Sequence, residues 1–230
     1  MKENTGIHKL RKRLLQAGNQ PQFTSEELAK QMIEEVGKSE EPAVDLGSAI
    51  FELGYELDEM GMRETAESVY FTAIEFLERL SEEKGNSVPL SELAQLAYRH
   101  GQKMYQCARY RVASLSFKRS VEVLDSLLAL DTDYPVIVQL AKTLTWLARS
   151  ERRSGKHLSA VQSYARAIGI WRSLLLFPRS EALFEEYEIA LGTALLGHAK
   201  VLQSIGQRES AEVTFQESIN ILSKYMPISD

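Results

Sequence analysis

The 230-residue chain has a single cysteine, Cys107, so no disulfide can close within it. Six prolines and thirteen glycines are too few for a collagen-like or low-complexity chain. No uninterrupted apolar run approaches the ~20 residues that span a bilayer. The basic opening stretch, MKENTGIHKLRKRLLQAG, is not followed by the ~7–15 apolar residues of a secretory signal. Gly155-Lys156 hints at a phosphate-cradling loop. The pattern GxxxxGK followed by Ser or Thr, however, needs glycine where Ser150 stands and a hydroxyl where His157 stands. None of His8, His100, His157 and His198 follows a glutamate by three positions, so the Glu-x-x-His pairs of di-metal bundles are missing. The expectation from these absences is a cytoplasmic, non-enzymatic chain with no catalytic residues, no metal and no cofactor.

What is present is an ordinary folding balance, 44% hydrophobic and 26% charged. The net charge of -5 hides a strong asymmetry. Residues 43–86 carry 3 Lys/Arg against 11 Asp/Glu, whereas residues 134–179 carry 8 against 1. Residues 1–20 are also basic, 5 against 1. A chain patterned this way has local fields that its total charge does not report.

Self-similarity organises the rest. Four segments superpose without gaps: GMRETAESVYFTAIEFL from Gly61, ARYRVASLSFKRSVEVL from Ala108, GKHLSAVQSYARAIGIW from Gly155 and GQRESAEVTFQESINIL from Gly206. Each carries an alanine (Ala66, Ala113, Ala160, Ala211), then an aromatic four residues on (Tyr70, Phe117, Tyr164, Phe215). A small residue follows (Ala73, Ser120, Ala167, Ser218), then Ile74, Val121, Ile168 or Ile219, and then Leu77, Leu124, Trp171 or Leu222. Offsets of 0, 4, 7, 8 and 11 lie on one face of an α-helix. Twelve residues before each alanine stands Gly54, Gly101, Ala148 or Ala199, inside a preceding apolar-patterned helix. Two helices are therefore expected to meet at small side chains, joined by tight turns at Gly61, Ala108, Gly155 and Gly206. In that setting Lys156 is a turn residue and His157 opens a helix.

This pattern resembles the tetratricopeptide repeat (TPR) over about Leu46 to Tyr225. The alanines are spaced 47, 47 and 51 residues apart, longer than the family's period of 34. The resemblance implies an all-α fold, a right-handed superhelical solenoid of antiparallel helix pairs. It divides the chain into residues 1–42, a basic arm and capping helix, and residues 43–230. The latter hold four hairpins at about 46–84, 90–130, 135–177 and 180–226. The capping helix opens on a Thr24–Glu27 capping box with Phe23 and Leu28 as its staple.

In the family the first helices line a concave, peptide-binding face. The matching positions here are Phe51 and Tyr55; Tyr98, Arg99 and Tyr105; Lys142, Trp146, Arg149, Arg152 and Arg153; and Lys200. Arginine and aromatic side chains dominate binding hot spots. The expectation is a protein-interaction module, an adaptor or scaffold, that holds an acidic or extended peptide segment of a partner through charge-assisted hydrogen bonds. In the competing arrangement those arginines pair with Glu185 and Glu188 of the next unit. The family's carboxylate clamp matches only at Lys142, so capture of chaperone tails is not expected. Two other functions compete. One is a structural subunit that self-assembles through its terminal repeats, as a homo-oligomer through the C-terminal one. The other, nucleic-acid association, rests on the basic stretch and KLRKR and runs against the acidic total. His100 and His198 occupy equivalent first-helix positions and read as neutral, hydrogen-bonded core residues.

Overall fold

The computed structural model describes residues 54, 57, 61–62, 65–66, 68–70, 87–130, 133–178 and 180–225. The expected arm and capping helix of residues 1–42 lie outside these, as do Phe51, Tyr55, Ala73, Ile74 and Leu77. By its internal contacts the chain divides into Met1–Leu96 and Ala97–Asp230. The described elements are α-helices: α1 (Ser87–Gln106), α2 (Tyr110–Leu130), α3 (Tyr134–Arg153), α4 (His157–Leu176), α5 (Glu181–Ser204) and α6 (Arg208–Leu222). Residues 54, 57, 65–66 and 68–70 are helical as well, and no strand occurs among the described residues.

The helix ends follow from local chemistry. Pro135 sits in the first turn of α3, where no intrahelical N–H is lost. Ser180 caps α5 by accepting the Leu183 N–H at 3.2 Å. The turns between paired helices share one geometry. Gly61 (φ 80°), Ala108 (58°), Gly155 (83°) and Gly206 (83°) all have left-handed backbone. The residue after each donates its N–H to a carbonyl five positions back. The pairs are Met62 to Leu57 (2.9 Å), Arg109 to Met104 (2.8 Å), Lys156 to Glu151 (2.8 Å) and Gln207 to Leu202 (3.0 Å). This is the Schellman closure, which satisfies carbonyls that a helix end leaves open. Glycine enters that conformation freely, whereas Ala108 does so against its Cβ.

The marker alanines are core. Ala66, Ala113, Ala160 and Ala211 are between 0 and 2% exposed. At two of the four hairpins the small residue of the first helix is a glycine covered by an aromatic ring. A Cβ on Gly54 would lie 2.6 Å from the Tyr70 ring, and one on Gly101 would lie 2.7 Å from the Phe117 ring. The glycine therefore makes room for the aromatic of its own hairpin. Within Ala97–Asp230 consecutive helices pack from α2 through to α6, and α3 also touches α5. Phe117, Tyr164, Trp171 and Tyr187 fill the space between them and are nearly inaccessible.

Two substitutions of opposite sign test this account. Gly101→Ala is expected to destabilise the Ala97–Asp230 unit by up to about 2 kcal/mol. Overpacking costs roughly 1–3 kcal/mol and helix propensity returns about 1. Ala108→Gly is expected to stabilise it by roughly 0.5–1 kcal/mol through relief of the left-handed strain. Both tryptophans, Trp146 and Trp171, lie in this unit, so urea titrations followed by fluorescence read it directly. Shifts of the same sign for both variants would contradict the turn and packing assignments.

Candidate functional site

Helix α3 sorts its residues by face. Leu140, Ala141, Leu144, Leu147 and Ala148 are buried. Lys142, Trp146, Arg149 and Arg153 recur at offsets 0, 4, 7 and 11, a second stripe along the same helix. That stripe meets a ladder of rings. Trp146 stacks on Phe117 (centroids 6.0 Å, planes 18° apart) and meets Tyr105 edge-on at 5.2 Å. Tyr105 meets Tyr110 edge-on at 5.1 Å, and Tyr98 meets Phe117 edge-on at 5.7 Å. These are the geometries that aromatic quadrupoles favour.

Two guanidiniums cap the ladder. Arg149 lies over Trp146 at 5.0 Å from the ring centre, and Arg153 lies over Tyr110 at 4.9 Å. Arg153 also donates to the Tyr110 hydroxyl at 2.9 Å. Each contact orients a planar cation and leaves part of its N–H edge for another acceptor. Arg152 turns elsewhere, toward the buried Tyr164 phenol, with its Nε out of reach of water. Burial pushes that phenol up, against the opposing pull of Arg149 and Arg152. Burial likewise raises Tyr98, while the Trp146 indole, the Arg149 charge and the Gln102 amide pull it down.

Ring support, rather than an ion pair, holds Arg149 and Arg153. Elsewhere Arg119 pairs with Glu122 (3.0 Å), Arg166 with Asp125 (2.9 Å), Arg172 with Glu217 (2.7 Å) and Lys224 with Glu188 (2.8 Å). Among the described residues no carboxylate pairs with Arg149, Arg152 or Arg153. The alternative in which they pair with Glu185 and Glu188 does not occur, because Glu188 accepts from Lys224 and the Tyr225 hydroxyl. The nearest acid in sequence, Glu151, is buried and accepts from Ser163 at 2.8 Å; burial pushes its carboxyl up.

Of the residues expected to line the groove, the structure brings together Tyr98, Tyr105, Trp146, Arg149 and Arg153. Lys142 is tied to Glu186 at 2.9 Å. Arg99 and Lys200 are exposed, and no hydrogen bond, ion pair or ring contact links them to the cluster among the described residues. Phe51 and Tyr55 lie outside the described residues. Sequence reasoning missed Tyr110, Phe117 and Tyr164 as parts of this face. Tyr110 stands two residues past a turn, a position that nothing in the repeat marks as special. Tyr164 is admitted by Gly197, where a Cβ would lie 2.4 Å from the phenol oxygen, and a first-helix glycine off the repeat pattern was the available signal.

His100 fits its expected role. Ser116 Oγ donates to the Val112 carbonyl (3.1 Å) and lies 2.8 Å from His100 Nδ1, so it accepts the Nδ1–H of a neutral ring. Burial, with the Arg109 charge adding to it, holds the imidazole down at about 3. His198 is lowered by burial as well, but its Nε2 is buried without a hydrogen-bond partner. Among the described residues no group of three or more His, Cys, Asp or Glu could hold a metal ion. No helix of the described residues is long and apolar enough to cross a membrane.

Neither a family model nor a curated protein matches the sequence. Solved structures do resemble it. The chain is similar to BtubC (BKLC) from P. vanneervenii, with TM-score 0.57, 14% identity, and 98% of this chain and 91% of that chain covered. It is also similar to a Podosopora anserina putative kinesin light chain with nearly identical TPR-like repeats. There the TM-score is 0.53 at 18% identity, with 96% of each chain covered. A single-residue variant of that protein gives TM-score 0.52 at 18% identity, with 96% of this chain and 95% of that chain covered. At such identities the likeness is one of fold, and that fold is the all-α, TPR-like helical-repeat solenoid.

The His100 environment makes a pH prediction. The folded chain favours the neutral ring, so its contribution to stability is full above the unfolded pKa of 6.5 and is lost as pH falls from there through about 3. Unfolding free energies from urea titrations should therefore fall between pH 7.5 and pH 5, by up to ~1.4 kcal/mol per pH unit per histidine once below about 6.5. His100→Gln should flatten that dependence, whatever its effect on absolute stability. A slope equal to that of the wild type would contradict the buried-neutral assignment.

Proposed function

We propose that the protein is a non-enzymatic interaction module, an adaptor or scaffold, whose α3 face holds an acidic, extended segment of a partner protein. The observation that carries this reading is that two cations of one helix are held in place by aromatic rings and not by acids. Arg119, Arg166 and Arg172 are matched to carboxylates, while Arg149 and Arg153 are held on aromatic rings with no acid paired to them among the described residues. Oriented cations beside exposed ring edges suit carboxylate recognition by charge-assisted hydrogen bonds. Tyr98 and Tyr105 supply the flanking wall, and the exposed Arg99 and Lys200 are further candidates for contact with the same segment, as Phe51 and Tyr55 are by sequence position alone. The array comprises four hairpins at about 46–84, 90–130, 135–177 and 180–226 behind an N-terminal segment, 1–42. TPR-like folds are suited to such scaffolding because each hairpin adds one helix to a continuous face.

Reversing charge at Arg149, Arg152 and Arg153 together should weaken capture of an acidic peptide at least tenfold, leaving the far-UV circular dichroism unchanged. Retained affinity with intact helix content would remove α3 as the binding face.

A second reading, self-association through the last hairpin, is favoured by a specific observation. Phe117 and Tyr164 are wholly buried, but the equivalent Phe215 is only half-buried. It lines a 580 Å³ open pocket with Gln203, Ala211, Glu212 and Ile219. Ile219, one of its lining residues, is 54% exposed. A second copy of the chain is the occupant this reading names. Sedimentation equilibrium should then show a dimer that Ile219→Asp converts to monomer, and a wild-type monomer at high micromolar concentration would refute it.

A further inference from the structure

Resting on the acidic-segment reading, we infer that Arg149 and Arg153 form a two-point reader for carboxylates at alternate positions of an extended chain, an acidic-x-acidic pattern. The third arginine does not take part. Arg152 has no ring beneath it as Arg149 and Arg153 do, and its Nε is buried without a hydrogen-bond partner. The outward pair is fixed at both members, Arg149 by the Trp146 face at 5.0 Å and Arg153 by the Tyr110 face at 4.9 Å plus a 2.9 Å hydrogen bond. Both rings touch Tyr105, so one residue of α1 sets the position of the two supports together.

The spacing follows from helix geometry. Four residues at a rise of 1.5 Å put the two side chains roughly 6 Å apart along α3. An extended chain places side chains on one side every second residue, roughly 6.6 Å apart. Adjacent residues point to opposite sides, so neighbouring acids present only one carboxylate to this pair. The floor between α1 and α3 is closed at ring-contact distance, 5.2 Å between Tyr105 and Trp146. That shallow ledge suits the narrow section of an extended chain better than a helix of about 10–12 Å diameter. A stacked guanidinium gives each carboxylate its in-plane N–H edge, which favours a defined two-point match over diffuse attraction.

The experiment uses the full chain and two fluorescein-labelled, end-capped octapeptides of identical composition, ESESESES and EESSSEES. The first offers acids at alternate positions. The second offers adjacent pairs and a helical i, i+4 spacing, but no alternate pair. Fluorescence anisotropy at low ionic strength should show the alternating peptide binding roughly tenfold tighter, the scale of one added charge-assisted contact. Arg149→Gln and Arg153→Gln should each bring the ratio close to one, and Arg152→Gln should leave it. Equal binding of both peptides, lost on triple charge reversal, overturns the spacing and leaves the acidic-segment reading standing. Tighter binding of EESSSEES overturns the extended form of the ligand. Binding of neither peptide, or binding that no arginine variant alters, overturns both.

Discussion

Two of the hairpins depend on close approach between an aromatic ring and a residue with no side chain. Gly54 against Tyr70 and Gly101 against Phe117 leave no space for a methyl group, so the paired helices sit at a separation that larger residues forbid. Packing at this density tolerates little change in volume, which makes the separation a fixed property of the hairpin. The left-handed turn residue then reverses the chain within three residues, and the Schellman hydrogen bond locks the reversal. Everything displayed on the helix faces inherits its position from these two features.

From that frame the α3 face follows. Phe117 fills the hairpin gap with one side and supports Trp146 with another, and Trp146 in turn carries Arg149. A core ring thus becomes the foundation of a surface cation two contacts away. Arg153 gains the same support from Tyr110 across a separation of 43 residues. Preorganised cations lose less freedom when a ligand arrives, so such a face can recognise charge with modest area. The Tyr98 and Tyr164 phenols, raised by burial and pulled down by nearby arginine charge and hydrogen bonds, belong to one electrostatic unit with it.

Much of this was legible in the sequence, for physical reasons. The alanine–aromatic spacing is a property of a single helix, and helical period fixes which residues share a face, so burial of Ala66, Ala113, Ala160 and Ala211 could be read directly. The turns at Gly61, Ala108, Gly155 and Gly206 were legible from the constant twelve-residue interval, even where alanine replaces glycine. Contacts between helices of different hairpins were not. Whether Arg153 reaches Tyr110, or Arg172 reaches Glu217, depends on how one hairpin lies on the next. The repeat pattern holds no term for that angle. That a ring would cover Gly54 and Gly101 was not legible either, since composition at one position does not say which neighbour fills the space.

The most direct test is to observe the arginine Nε–H groups by nitrogen-15 NMR while an acidic peptide is added. The account predicts that Arg149 and Arg153 resonances move together and saturate, while the acid-paired Arg166 and Arg172 stay in place. Shifts spread evenly over paired and unpaired arginines, or confined to the paired ones, would contradict it.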